Sequence, residues 1–208
     1  MGVTLRQFKQ MQDRLAGRRT ARVGKHRTTV PEPIVGGQNK TGQVILGIDP
    51  SLRSTGYGVI RTGKTGPCAI AYGIISPGGS SCPRSSCLAH IVRRLRAVLD
   101  QHRPAVCVVE GLFYGPNPKT AQVIGEARGA VLATVAEAGV DIYEIAPRKV
   151  KLAIVGHGTA QKLAVAKMVQ RMLNLPHAPE PDAADALALA LAYAHERNRL
   201  GLTSLKQL

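Results

Sequence analysis

The chain has 208 residues, of which 44% are apolar, enough for one real core plus appendages. Lys and Arg number 28 against 13 Asp and Glu, a net charge of +15, so a polyanion is the expected partner. No apolar stretch approaches the ~18 residues of a membrane span, and Cys68, Cys82, Cys87 and Cys107 lack the spacing of a disulfide framework.

Residues 1–43 carry nine basic residues against Asp13 and Glu32, a net of +7 that leaves +8 for the rest. Met1 to Leu15 has the period of one amphipathic helix, and Arg18 to Gln43 mixes Gly, Pro and charge without period. This predicts a basic, disordered arm. A transit peptide is also Arg-rich and acid-poor, but this segment is not Ser-rich and has no clear cleavage site. A cytoplasmic location is expected, with an organellar one as the alternative.

From Val44 the pattern is regular. Val44–Ile48 is an all-apolar run ending in Asp49-Pro50, a buried central strand. Thr55–Arg61 and Ala69–Ile75 are two further strands joined by a Gly63–Pro67 turn, and Pro77–Ser86 is a loop. Leu88, Ile91, Val92, Leu95, Val98 and Leu99 mark an amphipathic helix that ends near His102. Ala105–Val109 is a second apolar strand, closed by Glu110; Thr120–Ala138 is a helix stopped by Gly139; Asp141–Ile145 is a short strand. Thr159 is expected to cap a helix running to Leu175, and Pro181 opens an Ala/Leu helix to about His195. The order predicts one α/β domain over 44–197, a mixed sheet with helices on both faces, and a tail over 198–208.

The few acidic residues are the main signal. Asp49 and Glu110 each follow an apolar strand, and such strand ends form the functional edge of an open α/β sheet. They can meet there if the two strands are neighbours. Asp182 and Asp185 share one face of a helix that is otherwise Ala and Leu, with no Lys or Arg nearby in sequence. A divalent cation is a natural counter-charge, since hard Mg²⁺ takes carboxylate oxygens and an ion pair can clamp a phosphodiester. Each acid alone also has a structural reading, as a turn starter or a first-turn residue. Composition therefore points to metal-dependent phosphoryl chemistry on nucleic acid.

These residues carry a resemblance. Ile45-Leu46-Gly47-Ile48-Asp49-Pro50 with Thr55-Gly56-Tyr57-Gly58-Val59-Ile60 resembles the opening of the bacterial RuvC family of Holliday-junction resolvases. Val108-Val109-Glu110 with Phe113 is similar to its second acidic motif, and Gly125-Glu126-Ala127-Arg128-Gly129 to a helix start. Val150-Lys151, Val155-Gly156, Gly158 and Lys162 match its basic segment, and Asp182-Ala183-Ala184-Asp185-Ala186-Leu187-Ala188 its closing motif. The likeness covers about 44–195. It implies an RNase-H-like fold and a homodimer that cuts four-way DNA junctions symmetrically, leaving 5′-phosphate and 3′-hydroxyl ends. It also implies Mg²⁺ or Mn²⁺, two ions per site, and work beside the branch-migration complex of the same pathway. By it, Asp49, Glu110, Asp182 and Asp185 are catalytic and metal-binding, Lys151 and Lys162 stand near the scissile phosphate, and Phe113 stacks at the junction. Ser51, Gly111, His157 and the basic arm depart from the pattern, and none of them is an acid.

Phe113-Tyr114 lies among glycines and prolines, where a ring can stay exposed and stack on a base. Arg148 and Lys149, with Lys151, Lys162, Lys167 and Arg171, make a basic DNA-binding surface, and His157 reads as a loop residue. Cys82, Cys87 and His90 lack a fourth zinc ligand, and the Gly47, Gly56 and Gly58 set is followed by no helix, so it is not a nucleotide loop. The rivals are another nuclease of this fold, acting on an RNA–DNA hybrid or a transposon end, and a non-catalytic architectural DNA binder.

Overall fold

The computed structural model describes residues 42–79, 81–111, 118–200 and 205–208. Phe113, Tyr114 and nearly all of the expected arm lie outside these residues. Six strands form one sheet: β1 (Val44–Asp49), β2 (Thr55–Arg61), β3 (Cys68–Ile75), β4 (Val106–Glu110), β5 (Asp141–Ile145) and β6 (Lys206–Gln207). Their order is β3-β2-β1-β4-β5-β6. The β1/β4 and β4/β5 pairs are parallel, and the others are antiparallel.

Helices cover both faces because the central strands alternate. Leu46 and Ile48 of β1, with Cys107 and Val109 of β4, pack against α1 (Arg84–His102) and α2 (Pro118–Glu137). Ile45, Val106 and Val108 pack on the other side against α3 (Pro147–Val155), α4 (Lys162–Met172) and α5 (Pro181–Leu200). The period of two therefore turns Asp49 and Glu110 toward the α3–α5 face.

The docking of α5 depends on small residues from both partners. Its Ala-rich middle is fully buried. A Cβ at Gly47 would stand 1.9 Å from the Ala186 carbonyl oxygen, and one at Gly56 would stand 2.0 Å from that of Asp182. Glycine at these strand positions lets the helix backbone lie directly on the sheet. That packing delivers Asp182 and Asp185 to the ends of β1 and β4.

Several sequence expectations need correction. Residues 198–208 are not simply a tail: α5 continues to Leu200, and Lys206–Gln207 adds an edge strand to β5. Leu205 packs on the core beside it, and Leu208 N donates to Ile142 O at 3.0 Å. The arm boundary also shifts, because Thr62 N donates to Gln43 O at 2.9 Å and so prolongs the β1–β2 pairing. Helix α3 adds an element to the expected set, although Pro147 at its start and left-handed Gly156 at its close are the ordinary punctuation of a short helix. Thr159 does not cap α4; that role falls to Gln161, and the Thr159 hydroxyl lies 3.4 Å from His157 Nδ1. Among the described residues no helix is long and apolar enough to cross a membrane.

Candidate active site

Ile48 of β1 faces Val109 of β4 in parallel register, so the next residues, Asp49 and Glu110, end their strands side by side. The neighbour relation that the strand-end reading required is met. Asp185 and both basic residues of the expected set join them in one cleft of about 280 Å³, lined by Asp49, Glu110, Lys151, Lys162 and Asp185 together with apolar side chains. Asp182, one helical turn before Asp185, is outside this lining and accepts a hydrogen bond from the Ser54 hydroxyl.

The electrostatics follow from crowding like charges at a half-buried edge. Burial, then Asp185 and Asp182, push the Asp49 carboxyl from an ordinary 3.8 up to about 6, against the pull of Lys162. Burial, then Asp49 and Asp185, push Glu110 up to about 7, against Lys162 and Lys151. Lys162 is the counter-charge that the sequence did not reveal. Its Nζ lies 2.8 Å from Asp185 Oδ2, and this hydrogen bond raises its own pKa. It comes from the first residue of α4, which lies beside α5 in space but 23 positions away in the chain.

The donor set suits a hard divalent cation. Three carboxylates line the cleft with Asp182 one turn away, and burial together with mutual repulsion raises the pKa of Asp49 and Glu110; a cation would offset the negative charge. Among the described residues no three acidic, His or Cys side chains form a ready-made metal cage.

The remaining basic residues separate by position. Lys151 is half-buried in the cleft, whereas Arg148, Lys149, Lys167 and Arg171 are exposed outside it. His157 is exposed in the turn after α3.

Two side chains that sequence reasoning left without a role support the acids. Ser54 binds Asp182 from the β1–β2 connection. Arg128, only 5% exposed, pairs with Glu144 and donates to the Glu110 main-chain carbonyl. A cation in the middle of a Gly- and Ala-rich helix was the available signal for Arg128; for Ser54 there was none.

Comparison with known proteins gives a consistent picture. The family described as crossover junction endodeoxyribonuclease RuvC matches residues 45–193. A relative of that name from Syntrophomonas wolfei is 43% identical over 153 residues, 73% of this chain and 88% of its own. The solved T. thermophilus RuvC in complex with Holliday junction substrate superposes with a TM-score of 0.72 at 36% identity, over 80% of this chain and 99% of that one. The yeast mitochondrial Holliday junction resolvase Ydc2 shares the fold at 11% identity, with a TM-score of 0.55 over 76% of this chain and 81% of that one.

Proposed function

The chain belongs to the RuvC family of crossover junction endodeoxyribonucleases, and from that premise we propose that it resolves four-way DNA junctions by Mg²⁺-dependent hydrolysis at the cleft between β1, β4 and α5. The observation that carries this reading is the side-by-side ending of Asp49 and Glu110 on parallel strands, beneath the helix that bears Asp182 and Asp185.

In this reading Asp49, Glu110, Asp182 and Asp185 would hold the metal, with two Mg²⁺ ions per site and Mn²⁺ as a substitute. When bound, such ions supply Lewis-acid stabilisation of the charge that builds on the phosphate oxygens. The chain's own groups do the rest. Glu110, which burial pushes up to about 7, is divided between its protonated and ionised forms near neutral pH, and positive charge in the cleft would favour the ionised form. Ser54 keeps one Asp182 oxygen engaged and so fixes the rotation of that carboxylate. Lys151 and Lys162 offset the acids and contact the scissile phosphate, while Arg148 and Lys149 follow the DNA backbone outside the cleft. Phe113 and Tyr114 fill the space left by unstacked bases at the crossover.

Symmetric cleavage of two strands calls for two sites related by a twofold axis, and hence a homodimer. Partnership with a branch-migration complex and a cytoplasmic location complete the proposal. The test is nicking of a synthetic four-way junction, with and without Mg²⁺, beside an RNA–DNA hybrid and a linear duplex. Paired, ligatable nicks on the junction alone, dependent on Mg²⁺, are expected. Preferred cutting of the hybrid, or binding without cleavage, would overturn the assignment.

A further inference from the structure

Arg128 sits behind the sheet from the cleft. It belongs to α2, which packs on the face opposite α5, whereas the Glu110 carboxylate belongs to the α5 face. Its guanidinium divides between two acceptors: one amino group pairs with Glu144 Oε2 on β5, and the other donates to the main-chain oxygen of Glu110 on β4. Glu144 is held in turn from β6, with Lys206 Nζ 3.1 Å from its other oxygen. The Glu110 carbonyl lies at the last rung of the β4–β5 ladder, where Gly111 N still reaches Ile145 O at 2.9 Å before the chain leaves the sheet.

A buried guanidinium adds little to stability that a well-packed apolar side chain would not supply. What it adds here is direction, because a planar fork fixes two acceptors at once. We propose that Arg128, held by Glu144, is a positioning residue for the reaction: it locks the peptide that follows Glu110 and so sets the direction in which the Glu110 carboxylate enters the metal-binding cleft. Gly111 N–H ties the same peptide to Ile145 O, so without Arg128 only that one hydrogen bond holds it, and the alignment of the carboxylate with Asp49 and Asp185 loosens. Arg128 touches neither substrate nor reacting atoms, so its loss should weaken metal engagement and turnover while DNA binding is retained.

The inference rests on the reading of Glu110 as a metal-binding catalytic residue, and the experiment separates the two. Arg128→Lys keeps the charge but loses the fork. The double variant Arg128→Met with Glu144→Met removes both charges, so that no buried ion is orphaned. Both are measured beside wild type and Glu110→Gln for thermal stability, for junction affinity in EDTA, for single-turnover cleavage against Mg²⁺, and for the Mg²⁺ midpoint of the thermal shift without DNA. The expected result is a folded protein that binds the junction within about twofold of wild type. The Mg²⁺ midpoint should rise about tenfold in both the cleavage and the thermal-shift titrations, the size of effect seen when outer partners of metal ligands are removed. If the double variant folds and its midpoints and rate match wild type while Glu110→Gln is inactive, Arg128 serves packing alone and the inference is overturned. An equal loss of affinity and rate would overturn it too, by making Arg128 a DNA anchor. Full activity of Glu110→Gln would remove the catalytic reading, and this inference with it.

Discussion

Asp49 shows how a charged side chain at the cleft opposes the stability of its own fold. Its carboxyl is pushed up to about 6, so the folded protein holds this proton more tightly than the unfolded chain does. Stability contributed by this group therefore falls as the pH rises from about 4 through 6, and the full penalty, at most about 3 kcal/mol, applies at neutral pH and above. Asn keeps the shape and loses the charge. Asp49→Asn should abolish cleavage yet raise Tm in EDTA by several degrees at pH 8, with little change at pH 4. Equal shifts at both pH values would show that charge burial at Asp49 does not govern the effect. Mg²⁺ should reproduce part of that gain in wild type and none of it where the site has been emptied of ligands. The lysines supply a second residue-scale expectation. Lys151 and Lys162 face the acids in the cleft, while other basic side chains lie outside it. Alanine at either position should lower the single-turnover rate more than the junction affinity. Weakened affinity with unchanged turnover of the bound complex would recast both as anchors.

Among the elements, α5 decides whether the site exists, because it carries two acids and is seated by the absence of side chains beneath it. Gly56→Ala drives a methyl group into the Asp182 carbonyl and must lift the first turn of α5 from β2. Overpacking of this kind costs roughly 1–3 kcal/mol, and here it also displaces Asp182. Both Tm and cleavage should fall. Gly129→Ala, where the added carbon meets nothing within 4 Å, should leave Tm level or raise it. A tolerated Gly56→Ala would mean that the helix is not held as closely as described. The same elements show what a sequence reveals. The central strands were legible as short all-apolar runs buried on both faces, helix α1 by its period of three to four, and Asp49 and Glu110 stood out by ending those apolar runs. Lys206–Gln207 has two residues and no period, so only its pairing with β5 makes it a strand. Helix α3 has nine residues with charge at three of its first five, which masks its apolar face. Arg128 and Ser54 act on partners 18 and 128 positions away, and no local pattern encodes such an interaction.

At the scale of the whole molecule, charge must solve a problem that the site creates. In the proposed reading, the carboxylates in and beside the cleft repel the phosphate, so attraction has to come from elsewhere. The net of +15 divides into +7 for residues 1–43 and +8 for the remainder. The second share includes Lys151 and Lys162 in the cleft; the first belongs to a segment with no acidic motif, suited to binding phosphate without regard to sequence. Each phosphate neutralised contributes about 0.9 to the slope of log K against log salt on duplex DNA. Removing residues 1–41 takes away the same nine basic and two acidic residues but spares Gly42 and Gln43, which are bonded to Thr62. The shortened protein should bind junction and linear duplex more weakly by a similar factor. Its salt slope should be shallower by roughly one unit for every phosphate that the arm neutralises in the full chain, and its single-turnover rate at low salt and saturating protein should be unchanged. Affinity measured between about 50 and 200 mM salt, on both DNAs, checks this. Unchanged slopes would show that the arm does not touch phosphate, and a weakening confined to the junction would make it a reader of DNA shape.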